Sequence, residues 1–136
     1  MLKSLTVHQP WAWAIAAGHK RVENRSWATP YRGDLLIIAG RSRASLEAGN
    51  ELLRSLGCWL PDGYVYGAAV CIVTLYAVLP LNELLKLYQP HPIATGPFCW
   101  MLSDARPLRE PIPMTGHLSL RSVTSASVKT ENLAST

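Results

Sequence analysis

The chain has few cysteines, and they are badly placed for cross-linking. Cys58, Cys71 and Cys99 are odd in number and widely spaced, with no Cys-x-x-Cys pair and no histidine at zinc spacing. Neither a disulfide framework nor a structural zinc is indicated, and buried free thiols are expected. No stretch approaches the roughly 20 apolar residues that a membrane-spanning helix needs, and Met1-Leu2-Lys3-Ser4 leads into a strand-like run, not the core of a signal peptide. The expectation is a soluble, cytoplasmic protein with no membrane association. Glycine-rich phosphate loops of the P-loop or dinucleotide type are missing, as are internal repeats. Carboxylates are scarce where the chain is most basic. Residues 1–43 contain only Glu23 and Asp34, too few for a divalent-metal site, so neither metal nor cofactor is expected.

What is present is a globular composition with a lopsided charge. The 136 residues are 49% apolar, enough for one core, and carry a net charge of +4. Residues 1–43 hold seven basic side chains against those two carboxylates, whereas the remainder is slightly acidic. All the excess positive charge therefore lies in the third of the chain that also contains Trp11, Trp13 and Trp27. Basic charge interleaved with aromatic rings is the footprint of a surface that meets a phosphate backbone and unpaired bases.

The pattern of elements alternates. Residues 4–8 suit a strand, and Pro10 suits the opening of a short helix over residues 11–17 that ends at Gly18. Residues 22–27 fit either an extended segment or a loop. The Gly33-Asp34 turn leads into a buried strand over residues 35–39, and Ser42 can cap a helix over residues 44–56 that ends at Gly57. Residues 64–78 are the longest β-rich stretch, with residues 68–73 apolar enough to be buried on both faces. A short helix over 81–87, a proline-broken loop, a strand over 98–102 and a last strand near 117–123 complete the plan. Residues 122–136, rich in serine and threonine, are expected to form a flexible tail after a single domain spanning residues 1–121. Short strands with two or three short helices between them predict an α+β fold built as a small mixed β-barrel.

Three motifs point to a family. Leu5-Thr6-Val7-His8-Gln9-Pro10-Trp11-Ala12, then Gly18-His19-Lys20-Arg21-Val22-Glu23-Asn24-Arg25-Ser26-Trp27, then Tyr31-Arg32-Gly33 before an apolar strand, resemble the opening of ASCH domains. The likeness continues more weakly through Gly67-Ala68-Ala69-Val70 and Gly96-Pro97-Phe98-Cys99-Trp100, covering most of residues 4–121. Its specific part is Gly-x-Lys-x-x-Glu-x-Arg-x-Trp. The resemblance implies a PUA-like barrel, a fold used mainly to bind RNA, with a cleft between barrel and helices where this motif gathers. In the approach to the closing strand, ASCH domains commonly carry Gly-Leu-Trp, but Ser119-Leu120-Arg121 stands here, which leaves that strand without its aromatic anchor.

The expected partner is RNA or another single-stranded nucleic acid, including a modified nucleoside. Lys20, Arg25 and Arg32 can meet phosphate oxygens, arginine as a planar fork and lysine as a mobile point charge. Trp27 or Trp11 can stack on an unpaired base. Glu23 either pairs with Lys20 or Arg25 or accepts hydrogen bonds from a base edge. His8 and Gln9 can form a polar lip. Trp13, Trp59 and Trp100 read as packing residues, and His19, His91 and His117 have no visible partner.

The rival reading is an enzyme with Lys20 and Glu23 as its catalytic pair. Some relatives of this fold resemble amidohydrolases acting on acylated cytidine, with a lysine beside a threonine nucleophile. Lys20 matches that lysine, but Glu23 stands where the threonine would be, and a carboxylate beside a lysine opposes its use as a general base. Ribonuclease chemistry is the other enzymatic alternative, with Lys20 or Arg25 stabilising the phosphorane and Glu23 or His8 moving a proton.

Overall fold

A computed structural model describes residues 2–87, 92–124, 128, 132 and 133. In chain order the elements are β1 (Leu2–Val7), α1 (Trp11–Ala16), β2 (Val22–Arg25), β3 (Gly33–Ala39) and α2 (Leu46–Ser55). There follow β4 (Ala68–Pro80), α3 (Leu81–Leu87), β5 (Phe98–Pro113) and β6 (Arg121–Val123). One six-stranded mixed sheet has the order β2-β5-β4-β3-β1-β6, parallel between β1 and β3 and antiparallel elsewhere. This is the expected α+β architecture with three short helices.

The backbone ladder is open among the described residues, because its end strands β2 and β6 are not paired. The sheet nevertheless curls far enough to bring β2 to β1, four places away in the order. There Arg25 at the end of β2 donates from Nη2 to the carbonyl of Thr6 in β1 at 2.6 Å. A guanidinium spans the seam that a backbone ladder would otherwise close. Sharp curvature comes from β4 and β5, whose pairing shifts register between Ala69 and Cys71, Ile72 and Thr74, and Leu75 and Ala77. Such bulges bend and twist a long ribbon.

β5 runs to Pro113, well past the expected end at residue 102, through three prolines that would break a central strand. The exception has a simple cause. β2 covers only Phe98–Met101, so most of β5 has an edge that no other named strand occupies, where a missing donor costs little. Of residues 122–136, Val128 and Leu133 pack against the apolar face formed by Leu36, Ile38 and Ile72. Asn132 exchanges hydrogen bonds with the backbone of Glu110 at 2.9 and 3.2 Å. The other tail positions except Ser122–Thr124 lie outside the described residues, as does His91.

The core lies between α1 and the concave face of the sheet, where Leu5, Leu35, Ile37, Val73, Leu75 and Trp100 are buried with Ala12 and Ile15. α1 begins immediately after Pro10, and its exposed first-turn donor at Trp13 N is satisfied by the Gln9 side-chain oxygen at 2.8 Å. α2 starts two residues later than expected, and its C-cap Leu56 is followed by Gly57, whose φ of +83° only glycine adopts freely. Trp59 corrects the sequence reading. Far from packing, it is 92% exposed.

α2 docks on the start of α1 through Gly49. A Cβ there would lie 2.6 Å from Cδ and Cγ of Pro10. Glycine to alanine inside an exposed helix ordinarily stabilises by up to about 1 kcal/mol. At Gly49 the sign reverses, and Gly49→Ala is expected to cost about 1–3 kcal/mol in urea denaturation because the helix must move off Pro10. A neutral or stabilised variant would refute this contact.

Candidate nucleic-acid interface

The site is assembled where the end of α1, strand β2 and the seam with β1 meet. Lys20 follows the turn after α1 and is buried, with its side chain only 2% exposed. Glu23 and Arg25, two apart on β2, project to the same face as strand alternation requires. Lys20 Nζ donates to Glu23 Oε1 at 2.8 Å and to the Val22 carbonyl. Arg25 takes the other carboxylate oxygen, with Nε at 3.0 Å and Nη2 at 2.9 Å from Oε2. Glu23 is thus a bridge between two cations, and the cluster carries one net positive charge.

Burial alone works to raise the Glu23 carboxyl. The Lys20 ammonium and then the Arg25 guanidinium, by charge and by hydrogen bond, outweigh it and hold the group below the ordinary carboxylate range. Lys20, for its part, is committed as a donor to a carboxylate and a carbonyl. That geometry does not suit a general base.

This cluster forms one side of a cleft of about 350 Å³, within the range of small-molecule sites. Trp11 and Leu52 supply apolar wall, and His8, Thr6 and Thr95 supply polar rim. The Lys20 ammonium lies 5.7 Å from the centre of the Trp11 ring, a cation–π contact that ties wall to floor. Asn24 builds the far rim. Its amide donates to the Ile93 carbonyl at 2.8 Å and accepts from Thr95 N and Gly96 N at 2.9 Å each, clasping the loop that brings Ile93 and Thr95 to the cleft.

The structure therefore gathers Lys20, Glu23, Arg25, His8 and Trp11 at one cleft and leaves three expected contacts outside it. Trp27 stands edge-on to Trp100 at 4.8 Å and offers its carbonyl to the Trp100 indole N–H, a packing role. Arg32 is exposed and donates to the carbonyls of Thr29 and Tyr31. Gln9 is buried, spanning Trp13 N and the Val65 carbonyl, and forms no lip. Sequence reasoning passed over Asn24. Its one visible signal was an amide of low strand propensity between Glu23 and Arg25 in an otherwise extended segment. Among the described residues no group of three His, Cys, Asp or Glu could hold a metal ion.

A curled open mixed sheet with a charged cleft under two helices defines a small PUA-like α+β domain. The chain belongs to the ASCH domain family, whose model matches residues 5–122. It is 32% identical over 120 residues to human Activating signal cointegrator 1, a match covering 83% of this chain and 21% of that protein. The mouse protein of the same name is 43% identical over 90 residues, covering 62% and 16%. The chain thus spans about a fifth of the length of these relatives. Among solved structures, ASCH from Zymomonas mobilis superposes with a TM-score of 0.59 at 17% identity, covering 93% of this chain and 90% of that one. A mutant of the same protein gives 0.60 at 16% identity, covering 93% and 92%. These likenesses are of fold. No helix among the described residues is long and apolar enough to cross a membrane.

Proposed function

We propose that this domain is an RNA- or nucleotide-binding module that receives one unpaired nucleotide in the cleft over Lys20, Glu23 and Arg25. The observation that carries the reading is the buried cation–carboxylate–cation cluster at an open cleft. A buried cation and a half-buried one on a buried carboxylate are expensive to desolvate and are weak evidence of a stabilising role, whereas charged groups held rigid at a cleft are suited to recognition.

The chemistry favours the base inward. Glu23 repels phosphate but, held ionised by its neighbours, keeps lone pairs that can accept from an amino group on a base edge. Arg25 beside it can donate to a ring nitrogen or carbonyl, and Trp11 offers apolar surface to the ring plane. A base presenting a donor next to an acceptor, as cytosine does, matches this pair. The phosphates then lie outward, toward the basic first third of the chain.

Fluorescence anisotropy with a single-stranded RNA across a salt series tests this. Binding is expected at low salt and should weaken steeply as counterion release becomes less favourable. Arg25→Ala should reduce affinity at least tenfold. Should that variant be misfolded, Thr95→Trp, at the exposed rim, gives a second route because it blocks the cleft mouth. No binding at low salt, or binding insensitive to both substitutions, would overturn the reading.

A further inference from the structure

A second concavity lies on the other side of the start of α2. Ser45 lines the cleft, and the next residue, Leu46, lines a depression of about 500 Å³ whose wall includes Arg43, Arg54, Tyr64 and Tyr66. The two are thus lined by consecutive residues at the start of α2. Arg43 is exposed and lays its guanidinium over the Tyr66 ring at 4.1 Å from the ring centre, so its flat face is already held by an aromatic. Tyr64 is fixed by its hydroxyl bond to Asn50 at 2.6 Å. Asp62 is the one carboxylate in the lining, against two arginines.

Trp59 stands at this edge of the molecule, next in sequence to the lining residue Leu60. It is the most exposed aromatic ring among the described residues, 92% accessible, with Leu56 and Val65 also partly uncovered. A tryptophan held in water loses the burial that ordinarily justifies it. Aromatic surface beside arginines that have no ion pair among the described residues is the composition of a single-stranded nucleic-acid track, where bases stack and phosphates meet guanidinium groups.

We infer that this depression is a second nucleotide subsite, continuous with the cleft. A strand with one nucleotide in the cleft passes over Ser45, places its linking phosphate against Arg43 and Arg54, and stacks its next base on Trp59. This rests on the reading of the cleft as a nucleotide site, and it adds length dependence to it. The single nucleotide is held by the cleft alone, and an oligonucleotide is held by both.

The test compares a labelled hexamer of cytidylate with cytidine monophosphate as competitor. The wild-type domain is expected to prefer the hexamer by tenfold or more. Trp59→Ala and Arg43→Ala should each lower that preference, the tryptophan change by about 5- to 150-fold as expected for one lost stack. Circular dichroism melts confirm folding, and Trp59 is exposed enough that its removal takes away no packing. Hexamer affinity that is blocked by Thr95→Trp but indifferent to Trp59→Ala and Arg43→Ala would overturn the second subsite and leave the cleft reading intact. Absence of any binding to wild type would remove both. Loss of self-association on Trp59→Ala, read by sedimentation with RNA affinity unaltered, would make the patch an interface between copies and refute the proposal.

Discussion

Replacing Glu23 with alanine is expected to destabilise the domain by about 3–5 kcal/mol in urea denaturation, because it leaves the buried Lys20 ammonium without its counter-charge beside the half-buried Arg25 guanidinium. In a domain of this size that corresponds to a fall in Tm of about 10 °C or more. Glu23→Gln should cost nearly as much, since it preserves shape but not charge. Lys20→Met combined with Glu23→Gln should be less damaging than the sum of the two single changes, because the buried ammonium leaves with its partner. Additive losses would show that the cluster is not a coupled unit. The same carboxylate sets an acid limit. Its folded-state pKa is depressed, so its contribution is complete above the unfolded value of about 4.3 and is lost as pH falls through the lower folded value. Stability should therefore drop on acidification below about pH 4, and Glu23→Gln should flatten that part of the profile. A wild-type curve no steeper than that of Glu23→Gln would contradict the linkage.

Trp100→Ala should match that loss from the neighbouring strand β5. Trp100 is fully buried, pairs in register with Glu23 on β2 and Val78 on β4, and packs edge-on against Trp27. Truncation removes about 3–5 kcal/mol of packing, and it also leaves the Trp27 carbonyl without its indole donor. Trp100→Phe keeps most of the ring and should cost about 1–3 kcal/mol, roughly the orphaned carbonyl. Equal losses for the two variants in urea melts would place the energy in the hydrogen bond and not in the packing. Because Trp100 holds the strand that carries Glu23 and Arg25, Trp100→Ala should also weaken RNA binding wherever the protein remains folded.

These two residues illustrate how differently the sequence speaks about core and site. Trp100 was legible as packing from an apolar stretch flanked by turn residues. The long strand around residues 68–73 and the helices at 11–17 and 81–87 were legible for the same reason: apolar spacing and breakers are local, and local preferences survive into the folded chain. β5 runs eleven residues beyond the expected strand over 98–102, through a stretch with three prolines. Only the sheet order reveals that β2 covers just the first part of that strand, so that no named strand lies along most of its edge and proline is tolerated there. Trp59 was misread because a single ring in a loop carries no local mark of exposure.

The site divides along the same line. Lys20, Glu23 and Arg25 stand within six residues, and their types and spacing announced a family and a charged cluster. The sequence by itself therefore determined the family, the α+β class and the concentration of positive charge in the first third of the chain. It could not determine which of those charges face one another. Whether Arg25 reaches Thr6 and whether Asn24 clasps the loop around Ile93 depend on how the sheet curls. That curl arises from bulged pairing between β4 and β5, residues far from the motif in sequence. The pairing of Glu23 with its near neighbours was within reach of the sequence, but tertiary structure alone decided that Trp27 would pack on Trp100 and that Trp11 would become a wall, because each depends on contacts between segments distant in the chain.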